Sequence, residues 1–255
     1  MKHAVASSLF LASLLASSLA SAQTDAPAAP AAPVPDYTLS YNVGVVSDYR
    51  ARGISQSRLN PALQAGVDFA AKNGVYLGAW TSTIQWIKDS GGDANVELDL
   101  YGGYKGEIAK DLTYDVGVLR YQYPSNNLPV SANTTELYGA LTYGLVTAKY
   151  SHSVSDLFGF TDSKNSGYLE LAASFDVGNG VSLAPHIGHQ KVAGTGNGIA
   201  SYTDYSFAAT KDYGNGLALS LTVLGTNADK PTYTPTTTGK FTGKTGLSLG
   251  VKYSF

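Results

Sequence analysis

Apolar and polar residues alternate with a period of two through most of the chain after residue 36. In the first such segment, every second position from Tyr37 to Val45 is apolar or aromatic, and the positions between them carry Thr, Ser, Asn and Gly. Successive side chains of a β-strand point to opposite faces, so this alternation predicts a strand with one apolar and one polar face.

The pattern recurs and predicts twelve strands, with a margin of two in the count. The first begins at Tyr37, and the other eleven lie near Ala62–Ala70, Val75–Ile84, Asn95–Tyr104, Leu112–Tyr123, Thr135–Tyr143, Leu145–Ser153, Tyr168–Asp176, Val181–Gln190, Tyr202–Lys211, Leu217–Asn227 and Thr245–Phe255. An even number is expected of a single-chain bacterial outer-membrane barrel. We therefore predict an all-β fold over residues 37–255, a transmembrane antiparallel up-and-down β-barrel of about twelve strands.

The connections between these strands alternate in length. The short ones fall at residues 72–74, 105–111, 144, 177–180 and 212–216, and the long ones at residues 50–61, 85–94, 124–134, 154–167, 191–201 and 228–244. Outer-membrane barrels have short periplasmic turns and longer external loops, which is the same arrangement. A sheet that faces lipid must also leave no open edge, so we expect the strand from Tyr37 to pair with the strand ending at Phe255.

The N-terminus carries a different pattern. Lys2 and His3 precede an apolar stretch over Ala4–Ala16, and Ala20-Ser21-Ala22 provides small residues for cleavage. This arrangement predicts a secretory signal peptide over residues 1–22, and the short stretch without a charged stop favours removal over a membrane anchor. Residues 23–36 are rich in Ala and Pro, a composition typical of an extended leader or linker. The expected destination is the bacterial cell outer membrane.

The last predicted strand ends the sequence on an aromatic residue. Apolar side chains alternate with polar or small ones from Leu247 to Phe255. The segment resembles the C-terminal signature that the barrel-assembly machinery recognises, with Tyr253 and Phe255 as the assembly signal. The alternative is an ordinary amphipathic strand at the end of a secreted β-protein.

A family resemblance adds to this picture. The segment Ser47-Asp48-Tyr49-Arg50-Ala51-Arg52-Gly53-Ile54-Ser55-Gln56-Ser57, followed by Pro61-Ala62-Leu63-Gln64 and by Glu97-Leu98-Asp99-Leu100-Tyr101-Gly102-Gly103-Tyr104, resembles the TorF family of proposed porins. The resemblance implies an outer-membrane barrel with a pore function over Tyr37 to Phe255. It implies no substrate and no catalytic residues.

Composition excludes several classes of function. The chain has 255 residues, a net charge of −2 and no cysteine. It therefore has no disulfide, thiolate nucleophile or cysteine-based metal site, and neither sign of charge is strong enough to indicate a nucleic-acid partner. No apolar run after the N-terminus reaches the roughly 20 residues of a membrane-spanning helix.

Candidate catalytic groups are few. His152 and Ser153 are adjacent, but neighbouring residues of a strand point to opposite faces and cannot pair their side chains without a bulge. His186 and His189 are three apart, which also separates them and argues against a shared metal. The Gly-rich segment 194–198 lies in a predicted long loop, so a flexible loop is favoured over a phosphate cradle. We expect no enzyme activity and no cofactor.

The polar face carries most of the information about function. If the apolar face meets lipid, the opposite face lines the barrel lumen. This places nine charged residues inside: Asp68, Glu97, Asp99, Asp115, Glu136, Lys149, Glu170, Asp204 and Lys252. The acidic excess predicts a mild preference for cations, and the alternative is a lumen plugged by internal ion pairs. Arg50, Arg52 and Arg58 of the first long loop either reach these carboxylates, bind anionic lipopolysaccharide or are solvated.

The expected function is thus a porin-like channel for passive diffusion of small hydrophilic solutes. A closed structural or adhesive barrel is the alternative, and a lipid-modifying barrel enzyme is a third. The expected partners are outer-membrane lipid and lipopolysaccharide, the barrel-assembly machinery and small solutes.

Overall fold

The computed structural model describes residues 35–255, so the predicted signal peptide and nearly all of the Ala/Pro-rich leader lie outside the described residues. The strands are β1 (Tyr37–Val46), β2 (Arg50–Ala51), β3 (Ile54–Ser55), β4 (Ala62–Ala71), β5 (Val75–Thr83), β6 (Val96–Ala109), β7 (Leu112–Gln122), β8 (Thr134–Tyr143), β9 (Val146–Ser153), β10 (Gly167–Ala173), β11 (Phe175–Gly178), β12 (Val181–Lys191), β13 (Tyr202–Asp212), β14 (Leu217–Thr226) and β15 (Gly246–Ser254). The helical elements are a short helix α1 (Trp86–Asp89) and a 3-10 turn (Asn197–Ala200).

Twelve spanning strands form one closed antiparallel barrel, as the sequence predicts. The sheet runs β10-β9-β8-β7-β6-β5-β4-β1-β15-β14-β13-β12-β11, and a further pairing of β10 with β12 closes it. β10 and β11 are two parts of one spanning strand, interrupted at Ser174. The expected pairing of the first and last strands is confirmed, with Val43 opposite Tyr253. Closure gives each described spanning strand a partner on both sides, although its β11 part pairs with β12 alone.

The apolar positions of the strands form the outer surface. On β1, the side chains of Tyr37, Leu39, Tyr41, Val43 and Val45 are between 42% and 53% exposed. The same exposure of every second apolar side chain continues on other strands, as on β15. A continuous apolar exterior of this kind is the surface that a bilayer solvates and water does not.

Most strand bounds agree with the sequence pattern within two residues, but β6 does not. It continues to Ala109, so the turn before β7 spans two residues and not the seven predicted over 105–111. Register explains the extension, because Lys105 pairs opposite Asp115 and Gly106 opposite Tyr114. The backbone pairing of β6 with β7 therefore continues beyond the segment in which apolar and polar residues clearly alternate. Strand length here follows from pairing, which the local pattern does not reveal.

The short turns have the conformations that their residues favour. Asn179 and Gly180 join β11 to β12 with φ of 53° and 71°. Both values are positive, as the tight hairpin turn that suits twisted strands requires, and Asn-Gly is the pair that adopts it most readily. The short connection that the sequence predicts at residues 177–180 therefore contains a tight hairpin turn.

The long connections gather at the other end of the barrel, which we call the long-loop end. Residues 84–95, 123–133, 154–166, 192–201 and 227–245 lie there, and a buried apolar cluster ties several of them together, including Ile84, Ile87, Tyr123 and Ala132. A second cluster contains Leu157, Val192 and Ala200. Within residues 35–255, no helix is long and apolar enough to cross a bilayer.

The first long connection differs from the rest. Residues 47–61, which we call the inward segment, carry the small β2–β3 hairpin and bend into the barrel. Gly53 at its tip has a φ of 78°, and a Cβ at this position would lie 2.8 Å from the Cβ of Asp204 on β13. Only glycine combines that conformation with so close an approach, so the sequence here is suited to packing against the barrel wall.

Candidate functional site

The nine residues predicted to line the lumen are shielded from solvent to different degrees. Asp68, Glu97, Asp99, Glu136, Glu170 and Asp204 are buried, whereas Asp115, Lys149 and Lys252 are half-buried. Eight of the nine fall into four groups within the interior, and the ninth is Lys252 on β15. One large cavity lies beside these groups and reaches three of the nine residues, namely Glu97, Asp204 and Lys252.

The first group is a pair of tyrosine-carboxylate contacts, each of which crosses one intervening strand. Tyr101 on β6 donates a hydrogen bond from its phenol to Asp68 Oδ1 on β4. Tyr76 on β5 donates to Asp115 Oδ1 at 2.5 Å. Phenol donors satisfy the carboxylates without neutralising them, so the negative charge is stabilised in place.

The second group is a histidine held between two carboxylates. His186 on β12 lies with Nε2 3.3 Å from Glu170 Oε2 and Nδ1 3.5 Å from Asp204 Oδ1. Tyr168 donates to Asp204 Oδ2 at 3.0 Å, and Lys149 Nζ lies 3.8 Å from Glu170 Oε1. The sequence placed Glu170, Asp204 and Lys149 inside, but only the strand register brings His186 between the two acids.

The third group is Glu97 and Asp99, two positions apart on β6 and both almost fully buried. Tyr49 of the inward segment donates to Glu97 Oε1 at 3.0 Å, whereas Glu97 Oε2 and both carboxylate oxygens of Asp99 have no hydrogen-bond partner in the described part of the chain. Burial raises the pKa of the Tyr49 phenol well above its usual value, and the charges of Glu97 and Asp99 add to this. The phenol therefore stays protonated and can donate.

The fourth group contains Arg52, which the inward segment carries into the interior. Its guanidinium donates to Glu136 Oε2 and to Gln190 Oε1, both at 2.6 Å. It also lies 4.3 Å from the centre of the Tyr168 ring. Of the three arrangements that the sequence leaves open for the first-loop arginines, Arg52 adopts the one in which it reaches a predicted lumen carboxylate. The side chains of Arg52 and Glu136 are only 8% and 2% exposed.

The other two arginines bind acids that the sequence did not place in the lumen. Arg50 donates from Nε to Asp48 Oδ2 at 2.6 Å, and Arg58 donates from Nε to Asp89 Oδ2 at 3.0 Å. Asp48 lies two residues before Arg50, a local signal that sequence reasoning missed. Asp89 lies on α1, and no sequence pattern links it to Arg58.

The cavity occupies the part of the interior that these groups leave open. Its volume is about 1210 Å³, and it is lined by residues of the inward segment, the long-loop end and the barrel wall. The wall on this side, which we call the open wall, carries small and hydroxyl side chains: Gly44, Ser206, Ala208, Ser220, Thr222, Ser248 and Gly250. Tyr76, Tyr101 and Tyr138 extend from β5, β6 and β8 and do not line the cavity, so the interior is filled on that side and open beside β1, β13, β14 and β15.

The sequence candidates for catalysis and for metal binding lie on separate faces of their strands. On β9, Ser151 and Ser153 are buried towards the interior, whereas His152 lies on the outer face beside Tyr150, with ring centres 6.3 Å apart. The Ser153 hydroxyl donates instead to the carbonyl of Ser155 at 2.8 Å. His186 and His189 lie on opposite faces of β12. Within residues 35–255, no three His, Cys, Asp or Glu side chains are grouped to hold a metal ion.

The predicted assembly residues lie at the seam of the barrel. Tyr253 and Phe255 are 47% and 66% exposed on the outer face. The backbone N–H of Phe255 donates to the Tyr41 carbonyl at 3.0 Å, the N–H of Tyr41 donates back to the Phe255 carbonyl at 2.8 Å, and the two rings stack with centres 5.7 Å apart. The last residue thus takes part in closing the barrel.

Comparison of sequences gives a family match. A family model described as "Bacterial protein of unknown function (Gcw_chp)" matches residues 28–255. It does not confirm the expected TorF family. A comparison with curated proteins found no match.

Comparison of structures gives porins. The KdgM porin, solved in complex with disordered oligogalacturonate, aligns with a TM-score of 0.55 and 10% sequence identity over 85% of this chain and 98% of that chain. The NanC porin aligns with a TM-score of 0.52 and 11% identity over 86% of this chain and 99% of that chain. At such low identity, the similarity shows a shared barrel fold.

Proposed function

This chain belongs to the Gcw_chp family of bacterial proteins of unknown function, and on that premise we propose that it is an outer-membrane channel for passive diffusion of small hydrophilic solutes. The proposal includes the resemblance to the TorF family of proposed porins and treats the protein as a non-enzyme. It also includes a signal peptide over residues 1–22, an Ala/Pro-rich leader over residues 23–36 and the outer membrane as the destination.

The observation that carries this proposal is the cavity beside the open wall. Small side chains such as Gly44, Ala208 and Gly250 leave space along neighbouring strands where larger residues would fill the barrel. Hydroxyl groups at Ser206, Ser220 and Thr222 offer hydrogen bonds to a hydrated solute. A closed structural barrel has no need of such a wall, because filling its interior with apolar side chains stabilises it more.

Adjacent alanines on β13 provide a test of the path. Ala208 lines the cavity, whereas Ala209 lies on the other face of the strand. We expect refolded protein to give stepwise conductance in planar bilayers, Ala208→Trp to lower the single-channel conductance severalfold by narrowing the open wall, and Ala209→Trp to leave it unchanged. Absence of conductance in the unmodified protein would favour the closed structural or adhesive barrel. Equal conductance in both variants would place the path elsewhere.

A lipid-modifying enzyme is the less favoured alternative. It would need a nucleophile and a base within hydrogen-bond reach, and His152 and Ser153 lie on opposite faces of β9. A lipid-hydrolysis assay with His152→Ala as control addresses this alternative directly.

The proposal extends to a mild preference for cations. Arg52 lies inside and offsets part of the acidic excess through Glu136, and Glu97 is the carboxylate of the buried pair that lines the cavity. Charge on a lumen wall acts over about 8 Å at physiological ionic strength, so an ionised carboxylate at Glu97 attracts cations into the cavity.

Neutralising this pair tests the preference. We expect Glu97→Gln combined with Asp99→Asn to reduce the ratio of cation to anion permeability while the pore still conducts, as measured by reversal potentials in a salt gradient. Anion selectivity in the unmodified protein, or an unchanged ratio in the double variant, would contradict the acidic-lumen argument.

A further inference from the structure

The outer face of the barrel carries ionisable residues of one sign. Among the spanning strands that the structure describes, alternation directs every Asp and Glu inward, as at Glu97 and Asp99 on β6. The outward ionisable positions are all basic: Arg120, His152, His189, Lys191 and Lys211. Basic side chains on a lipid-facing wall are costly at the bilayer centre, and the cost falls near the interfaces.

Four of these five residues form a band at the long-loop end, which we call the basic patch: Arg120, His152, His189 and Lys191. They lie on β7, β9 and β12, and the strand register connects them. Arg120 pairs opposite Thr135 on β8, His152 pairs opposite Gly167 on β10, and Gly167 pairs in turn opposite Lys191. Lys211, the fifth residue, lies at the opposite end, where it donates to the carbonyl of Asn179 in a short turn.

The Tyr150 phenol occupies the centre of the basic patch. Gly167 has no side chain, and the Tyr150 phenol leans over it, so that a Cβ at Gly167 would lie 2.5 Å from Tyr150 Oη. Lys191 is exposed, and His152 is half-buried beside the Tyr150 ring. A hydroxyl group therefore lies at the centre of the patch, with a basic side chain on each flank.

The patch borders apolar side chains on the same strands. Leu137, Leu169 and Ile187 lie next to it towards the middle of the barrel and are 50% to 57% exposed. Arg120 is oriented by its contacts, since it donates to Thr135 Oγ1 at 2.8 Å and to Gln122 Oε1. Basic groups above an apolar band complement an anionic headgroup whose chains extend along the barrel.

We propose that the basic patch binds the phosphate-bearing headgroup of a lipid in the leaflet at the long-loop end. The proposal rests on the outer-membrane placement in the proposed function, but not on the pore being open. Lys191, His152 and the Tyr150 hydroxyl hold one phosphate at this centre, and Arg120 contacts the headgroup two strands away. Guanidinium, ammonium and phenol donors are the groups that recognise phosphate oxygens.

The test compares the patch with Lys211, a matched basic residue at the other end of the same outer face. Full-length protein is reconstituted in phosphatidylcholine nanodiscs containing diphosphoryl lipid A, and bound lipid is measured by native mass spectrometry. Each basic group near an anionic surface strengthens the binding of an anionic lipid. Because Arg120→Gln combined with Lys191→Gln removes two such groups, we expect it to weaken lipid A binding about twentyfold. Lys211→Gln is expected to bind as the unmodified protein does.

Additional ligands identify the chemistry that the patch recognises, and a conductance measurement separates this proposal from the channel function. Dephosphorylated lipid A should bind weakly to every variant, and free inorganic phosphate should compete poorly because it has no acyl chains for the apolar band. Heat-modifiable migration checks that each variant is folded. Equal lipid A binding by the double variant, or an equal loss in Lys211→Gln, would overturn the proposal. Because the patch lies outside the lumen, the double variant should conduct like the unmodified protein, so loss of lipid binding and loss of conductance are separate results.

Discussion

Deletion of Phe255 is expected to reduce the amount of folded barrel in the outer membrane sharply. The deletion removes the pair of backbone hydrogen bonds with Tyr41, at 2.8 and 3.0 Å, and the stacked ring contact between the two residues. At about 1 kcal/mol for each hydrogen bond and for the aromatic pair, closure of the seam loses about 3 kcal/mol. The expected result is open, aggregation-prone protein in the periplasm, measured by fractionation and by the heat-modifiable band.

Two substitutions separate barrel closure from recognition of the terminal aromatic side chain. Phe255→Ala keeps the two backbone hydrogen bonds and loses the aromatic ring. Phe255→Tyr keeps the two hydrogen bonds and an aromatic ring. If the assembly machinery recognises the aromatic ring, Phe255→Ala should lower the yield of folded barrel nearly as much as the deletion does. Phe255→Tyr should then assemble normally. Normal yield of heat-modifiable barrel after deletion would show that neither closure nor the signature depends on this residue.

The second large effect is expected from Arg52→Ala. The substitution leaves the Glu136 carboxylate buried without its counter-ion and removes the hydrogen bond to Gln190. Loss of one partner from a buried ion pair costs about 3–5 kcal/mol of folding free energy. We therefore expect a clear fall in unfolding free energy in denaturant titrations of the refolded protein. Release of the inward segment should also raise single-channel conductance, because this segment lines the cavity.

Two controls test whether the buried pair is the cause. Arg52→Ala combined with Glu136→Gln removes the uncompensated charge and should recover part of the lost stability. Lys72→Ala breaks an ion pair of similar length, 2.9 Å to Asp36, but the two side chains are 55% and 93% exposed. Such a pair contributes about 0–1 kcal/mol, so little change is expected. A loss in Lys72→Ala equal to that in Arg52→Ala would contradict the role of burial.

The candidate site was only partly foreseeable from sequence. Alternation along each strand is a local property, so it was enough to nominate Asp68, Glu136 and the other charged positions for the interior. Which side chain meets which is a property of register between strands, and the placement of His186 between Glu170 and Asp204 depends on β10 and β12 pairing across the closure. The fold of a long loop is less predictable still, because its residues carry no periodic pattern. For Arg52 the sequence therefore did not decide between contact with the lumen carboxylates, contact with lipopolysaccharide and solvation.

What the sequence by itself determined is the spacing and polarity of the strands, and with them the barrel. A period of two assigns each residue to one of two faces, and the demand that no edge meets lipid requires the first and last strands to pair. Only the tertiary structure decided the extension of β6 to Ala109, the entry of the inward segment and the division of the lumen into a filled half and an open wall. These features depend on contacts between residues far apart in sequence, such as Arg52 with Glu136 and Gln190, and the chemistry of each residue alone is compatible with several partners.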